Sequence, residues 1–190
     1  MGNREDLLAG AKQCLNQKGY ARTTARDIAQ AAGVSLAAIG YHFGSKEALL
    51  NQALFEAVGE WGEELERSLG STDAEAPMLE RFESTWERVL EKLAEDRTFW
   101  AANFEMLAQS EHVPEIRTFF SGALKFAHPG LAELFLGIDP NADEKRTRML
   151  GQFCHALLVG VIVQWLIDPE RAPSAHDLTQ AARTVGTGGL

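Results

Sequence analysis

The sequence predicts an all-α chain of about nine helices, with a short N-terminal helix-turn-helix domain of three helices ahead of a longer helical bundle. Three observations predict it. Apolar residues recur at helical spacing almost throughout and alternate as in strands almost nowhere. Cap and stop residues cut the chain at short intervals. Charge is segregated: residues 1–50 hold six basic against four acidic side chains, net +2, and residues 51–190 hold 12 against 23, net −11. A mildly basic head on an acidic body suggests an aimed contact with a polyanion, which the whole-chain charge of −9 conceals.

Each element follows from its residues. Leu7, Leu8, Ala11, Cys14 and Leu15 form one face of a first helix, which Gly19 ends. Thr24, with Asp27 three residues on, reads as the cap of a second helix. Gly33-Val34-Ser35 reads as a turn, with Ser35 capping a third helix that stops at Gly44. A small side chain at Ala29, a glycine free to take positive φ at 33, and Ile39 as a plug give helix-turn-helix geometry, with Ile28, Val34 and Phe43 completing a small core.

Ser45 then caps a helix from Lys46 to about Leu69, and residues 70–77 have linker composition. Further helices are expected over Met78 to about Asp96, Thr98 to about Ser110, and Pro114 to about Leu136. Pro129 is expected to kink or split the last of these, because it removes a backbone donor. A long helix over Glu144–Ile167 and a final one over Ala175 to about Val185 follow, and the glycine-rich end is expected to fray. The resulting domains are 1–50, a reading head, and 51–190, a body.

At 190 residues, 45% hydrophobic and 24% charged, the composition is that of a soluble globular protein. No secretory signal is expected at the start. The most apolar run, Phe153 to Ile167, is shorter than the roughly 20 residues of a membrane span and contains His155 and Gln164, so a buried helix is expected and no membrane partner. Cys14 and Cys154 form no CxxC pair, which favours a reducing, cytoplasmic setting and offers no metal site. No phosphate loop, dinucleotide glycine pattern, zinc-protease helix or serine nucleophile elbow occurs. The expectation is therefore a protein that is not an enzyme and needs no cofactor.

The stretch from Thr23 to Leu50, "TTARDIAQAAGVSLAAIGYHFGSKEALL", goes further than spacing. Its paired threonines, "DIA", "AGVS", Tyr41-His42-Phe43 and "SKEALL" closely resemble the DNA-binding signature of the TetR family of bacterial transcriptional regulators. The resemblance covers about residues 5–55; beyond that the chain is similar only in length and helical character. It implies a cytoplasmic homodimeric repressor with two reading heads, a double-stranded, palindromic DNA operator, and a small-molecule effector bound in the body that releases the DNA.

By that resemblance the helix opening at Ser35 enters the major groove. Leu36 and Ala37 fall where bases are contacted. Tyr41, His42 and Lys46 fall where backbone or bases are contacted, and Thr24 starts a helix that faces phosphate. Leu36, Ala37 and Ala38 suit thymine methyl groups, while Tyr41 and His42 offer polar donors. One departure stands out. Many members carry an aromatic just before the position of Tyr41, where this sequence has Gly40, at a helix cost of about 1 kcal/mol relative to Ala. With so few polar readers, specificity is expected to lean on DNA shape and half-site spacing. The competing reading is a helical protein-interaction module whose head does not read DNA.

The middle helices are rich in aromatics, and core packing is the ordinary explanation for each. The resemblance places the effector site among them, with Trp86, Trp100, Asn103, Phe104, Phe120 and Gln152 as candidates. Asn103 beside Trp100 and Phe104 is the kind of lone polar group that orients an apolar ligand, and a buried Glu105 would favour a cationic one. The helix after Glu144 turns from charged to apolar on nearly every face from Phe153 onward, more than one small domain readily covers. The resemblance implies dimerisation through the last two long helices; Phe153, Leu157, Val161, Trp165, Leu178 and Ala182 are the candidates for that face.

Overall fold

Local signals place most boundaries. Among the residues described by the computed structural model (3–69, 76–111 and 113–188) there are nine helices and no strand. They are α1 (Asn3–Lys18), α2 (Ala25–Ala31), α3 (Ala37–Phe43), α4 (Lys46–Leu69), α5 (Met78–Glu95), α6 (Arg97–Gln109), α7 (Pro114–Leu136), α8 (Glu144–Ile167) and α9 (Ala175–Gly186). Residues 70–75, most of the expected linker, lie outside the described residues.

The caps explain the starts. Thr24 and Asp27 form a reciprocal capping box on α2, and Ser174 and Asp177 form another on α9. Asp143 caps α8 through the Arg146 N–H, and the Ser45 hydroxyl accepts from the Ala48 N–H, 3.0 Å, at the head of α4. α3 differs from expectation: no side chain caps it at Leu36, and Ser35 contributes its carbonyl, which accepts from the Ala38 N–H at 3.0 Å.

Packing forms two units: Met1–Glu63 with Asp96–Thr118, and Glu64–Glu95 with Phe119–Leu190. The expected boundary at residue 50 differs from this division. α4 runs uninterrupted through residue 50, burying Leu49, Leu50, Ala53 and Leu54, and α6 packs on α1. In the first unit α1 also packs on α2 and α3. At Gly10 a β-carbon would lie 2.9 Å from the Ala32 amide nitrogen, so glycine sets how closely α1 approaches the end of α2. Trp61 and Trp100 are buried edge-to-face, ring centroids 5.0 Å apart, and neither indole N–H has a partner.

In the second unit Phe82, Trp86 and Phe135 stack around one another, with Trp86 and Phe135 centroids 5.0 Å apart, and α5 packs on α9. α7 is not split at Pro129. The missing donor costs the helix one bond, but the buried Ala132 and Phe135 anchor the turns beyond it. Beside that proline α8 comes close enough that a β-carbon on Gly151 would overlap the His128 carbonyl. α9 extends through Gly186 and is closed by the Thr187 N–H on the Arg183 carbonyl, and residues 189–190 of the end expected to fray lie outside the described residues.

α8 is not buried all round, as the sequence suggested. Thr147, Gly151, Cys154, Leu158, Val161 and Ile162 form an inward seam at steps of four and three. Met149 (59% exposed), Phe153, Ala156, the half-buried Gly160, Val163 and Ile167 (79% exposed) repeat the same steps on the open side. By length and composition alone α8 could cross a membrane, its best 18-residue stretch having a mean hydropathy of 1.8, but the inward seam belongs to its own unit's core.

Candidate nucleic-acid interface

The paired threonines divide their work. Thr23 is buried and donates to the Gly19 carbonyl at 2.7 Å, closing the connector between α1 and α2, while Thr24 is exposed and caps α2. Asp27 binds this corner together, accepting from the Lys18 ammonium at 2.6 Å and from the Thr24 hydroxyl at 2.7 Å. The Lys18 bond, then those from Thr24, hold its carboxyl far below the usual carboxylate range. Gly33, at φ +65°, makes the turn that leads from α2 to α3.

α3 is two-faced. Ala38 and Ile39 are buried with Ile28 and Ala29 in the small core, whereas Leu36, Ala37, Gly40 and Tyr41 are exposed. Their spacing (36 and 40, 37 and 41) puts them on adjoining rows of one helical face. Leu36 is 49% exposed and Tyr41 86%. Apolar side chains held this far into solvent are what a face that meets another surface requires. Ala38 corrects the expectation that it reads a thymine methyl: its side chain is spent on the core.

His42 is half-buried, edge-on to Tyr41 with centroids 4.9 Å apart, which stiffens the end of the exposed face. Lys46 is less mobile than its chemistry suggested. Its ammonium donates to the Thr23 carbonyl at 3.2 Å and pairs with Glu47 at 3.3 Å, so it braces α4 against the α1–α2 connector. Ser35 is exposed at the mouth of the turn. Nothing in the local pattern points to Arg4, whose guanidinium lies 5.4 Å from the Phe43 ring centroid and sets a cation at the end of α3. Only the fold brings residues 4 and 43 together.

The effector candidates are divided between the two units. Trp100, Asn103 and Phe104 belong to the first unit, and Trp86, Phe120 and Gln152 to the second. The Asn103 amide donates to the Phe99 carbonyl one turn back, 3.0 Å, so it is partly engaged by its own helix. Trp86 is fully buried, with an unpartnered indole N–H. Gln152 is exposed beside Phe153, on the open side of α8. Glu105 is likewise exposed, accepting from the Ala21 N–H at 3.0 Å. Trp61, which joins Trp100, was missed because the two lie on different helices, and no local pattern pairs them.

Of the dimer-face candidates, Phe153 is exposed and Leu157, Trp165, Leu178 and Ala182 are half-buried. Val161 is 2% exposed and is a correction: it belongs to its own unit's core. Steps of four residues drift about 40° each around an α-helix, so a row starting outward at Phe153 has turned inward by Val161. Both cysteines are free and buried, and burial pushes the Cys154 thiol up to about 12 and raises that of Cys14, which makes them inert.

Residues 7–53 match the family model described as bacterial regulatory proteins, tetR family, and residues 78–187, more than half of the chain, match the C-terminal domain of BetI-type transcriptional repressors. The chain belongs to the TetR family. Its members are transcriptional regulators, not enzymes. The HTH-type transcriptional regulator TtgR of Pseudomonas putida is 37% identical over 75 residues, 40% of this chain and 35% of TtgR. The HTH-type transcriptional repressor AcnR of Corynebacterium efficiens is 41% identical over 49 residues, 26% of each chain. The chain thus spans about a third or less of the length of these relatives. Among solved structures, the multidrug binding protein EbrR complexed with imidazole is similar over 97% of this chain and 87% of that one, with 26% identity and a TM-score of 0.66.

Proposed function

We propose that this TetR-family regulator is a homodimeric, cytoplasmic repressor that binds a palindromic double-stranded DNA operator and leaves it when a small molecule binds the body. The observation that carries the reading is the exposed row Leu36, Ala37, Gly40 and Tyr41 on a helix whose opposite face is pinned by Ala38 and Ile39. A rigid, protruding face of that width fits a major groove, with Thr24 and Arg4 at its edges toward phosphates. Residues 1–50 form the reading head and 51–190 serve effector binding and dimerisation. α4, continuous from Lys46 to Leu69, carries the signal between them.

The open seam of α8 supports the dimer. Met149, Phe153, Ala156, Val163 and Ile167 flank Gly160, whose β-position meets nothing within 4 Å, so a second copy of α8 can approach closely there. In this reading the half-buried Leu178 and Ala182 and the exposed Val185, on α9, complete the dimer face. Two buried aromatic clusters with unpartnered indole donors, and the likeness to EbrR, support an organic effector with a hydrogen-bond acceptor. Differential affinity for two spacings of the reading heads supplies the coupling.

Fluorescence anisotropy against DNA from upstream of the gene, at several salt concentrations and beside a shuffled control, tests the reading. Tight, salt-dependent binding that prefers the native DNA is expected. If neither that DNA nor any fragment selected from the genome binds better than the control, the head is an interaction module and the proposal fails.

A further inference from the structure

A cavity of about 210 Å³ opens in the first unit, between the α1–α2 connector and the first turns of α6, with no residue of α3 in its walls. Its lining is Lys18 from the end of α1, Gly19, Ala21 and Arg22 from the connector, and Arg97, Thr98, Ala101 and Glu105 from α6. Lys18, Arg22 and Arg97, from the end of α1, the connector and α6, therefore line one concavity with a single carboxylate, in a chain of net charge −9. That carboxylate accepts the Ala21 N–H at 3.0 Å. The Arg22 Nε donates to the Lys18 carbonyl at 2.8 Å, which fixes the guanidinium at the rim. Lys18 is itself held by Asp27.

We propose that this cavity binds a small oxyanion, a phosphate or carboxylate group, between the guanidinium groups of Arg22 and Arg97, with the Thr98 hydroxyl as a further donor. Guanidinium forks match such anions in geometry and stay charged at every physiological pH. The cavity is large enough for the ion with some of its water or for a small carrier molecule. An anion held there adds a second tie between α6 and the connector, parallel to the Ala21–Glu105 bond. The connector leads directly into Thr23 and the Thr24 cap, so the tie steadies the start of the helix-turn-helix. The inference does not depend on which DNA the head reads, because anion binding is measured on the protein alone.

Isothermal titration of the full-length chain with inorganic phosphate and, separately, acetate, at constant ionic strength against chloride, tests it. Saturable binding of one of the two is expected, weakened at least tenfold in Arg97→Gln and in Arg22→Gln, with the ligand-free melting temperature of at least one variant unchanged. Phosphate and acetate arms tell the two oxyanion chemistries apart. No saturable heat with either anion, heat that chloride reproduces, or wild-type affinity retained in both variants overturns the proposal. If wild type binds neither anion while both variants lower the salt dependence of DNA binding, the cations serve the DNA backbone and the proposal is likewise overturned.

Discussion

At the residue scale, the reading face depends on a few side chains that the core cannot use. Leu36 is half exposed at the entrance of α3 and carries no polar group, so under the proposed function it offers DNA apolar contact and shape. Leu36→Ala is expected to relax base preference while leaving the dependence of affinity on salt nearly unchanged. Affinities for a panel of single-base operator variants at three salt concentrations check this. A uniform loss across sequences with a flattened salt dependence would assign Leu36 to the backbone instead. Gly151 is the opposite kind of residue, chosen for the absence of a side chain. Gly151→Ala would drive a methyl group into the His128 carbonyl, and a cost of about 1–3 kcal/mol is expected, read as a lower denaturation midpoint.

At the element scale, α3 is the weakest helix of the head. It has seven residues, no side-chain cap at its start, and a glycine in the middle. A β-carbon at position 40 would meet nothing within 4 Å, and no positive φ requires glycine there. Gly40→Ala is therefore expected to stabilise the head by about 1 kcal/mol, measured by denaturant unfolding. If stability instead falls, the glycine serves a conformation of α3 other than this one. α8 makes the contrasting case, an element that is strong because it is used twice. One seam of the helix belongs to its own core, and the other is open and meets a second copy in the proposed dimer. Replacing Phe153 and Val163 together by Glu on the open seam is expected to give a folded monomer, seen by light scattering with retained helical circular dichroism. A dimer that survives the pair of charges would place the interface elsewhere.

At the scale of the whole molecule, acidity and stability are linked through His128 and His155, on α7 and α8, whose rings lie 5.5 Å apart. Burial lowers the pKa of both below the ordinary 6.5, and for His155 the neighbouring His128 adds to it. Both are neutral in the folded protein at neutral pH. Because the unfolded chain takes up these protons first, their contribution to stability is intact above pH 6.5 and is lost as pH falls from there toward the folded values. Melting temperature is expected to fall from about pH 7.5 to about pH 5.5 more steeply in wild type than in a His128→Gln, His155→Gln variant. Equal slopes would mean that other groups govern the acid limb. The same scale holds the charge asymmetry, net +2 over residues 1–50 and −11 over the rest, which under the proposed function favours approach to DNA by the head.

Whatever rests on neighbours in the chain was determined by the sequence alone. Thr24 with Asp27, and Ser45 before α4, announce helix starts because capping is settled within three residues; Gly19, Gly33 and Gly44 announce turns because their backbone angles are local. Family membership was legible for the same reason, since the signature from Thr23 to Leu50 is one unbroken stretch. The side on which each apolar residue points was decided only by the tertiary structure. Phe153 and Val161 look alike in the sequence, yet one is exposed and the other buried, because the face depends on helical phase summed over eight residues and on what packs against it. Pro129 was expected to kink or split α7, and the helix is not split there, with Ala132 and Phe135 buried in the turns beyond it. Trp61 with Trp100, Arg4 with Phe43, and Glu105 with the Ala21 N–H are pairs from distant segments. Contacts of that kind are made by closure of the chain on itself, and no window of the sequence contains both partners.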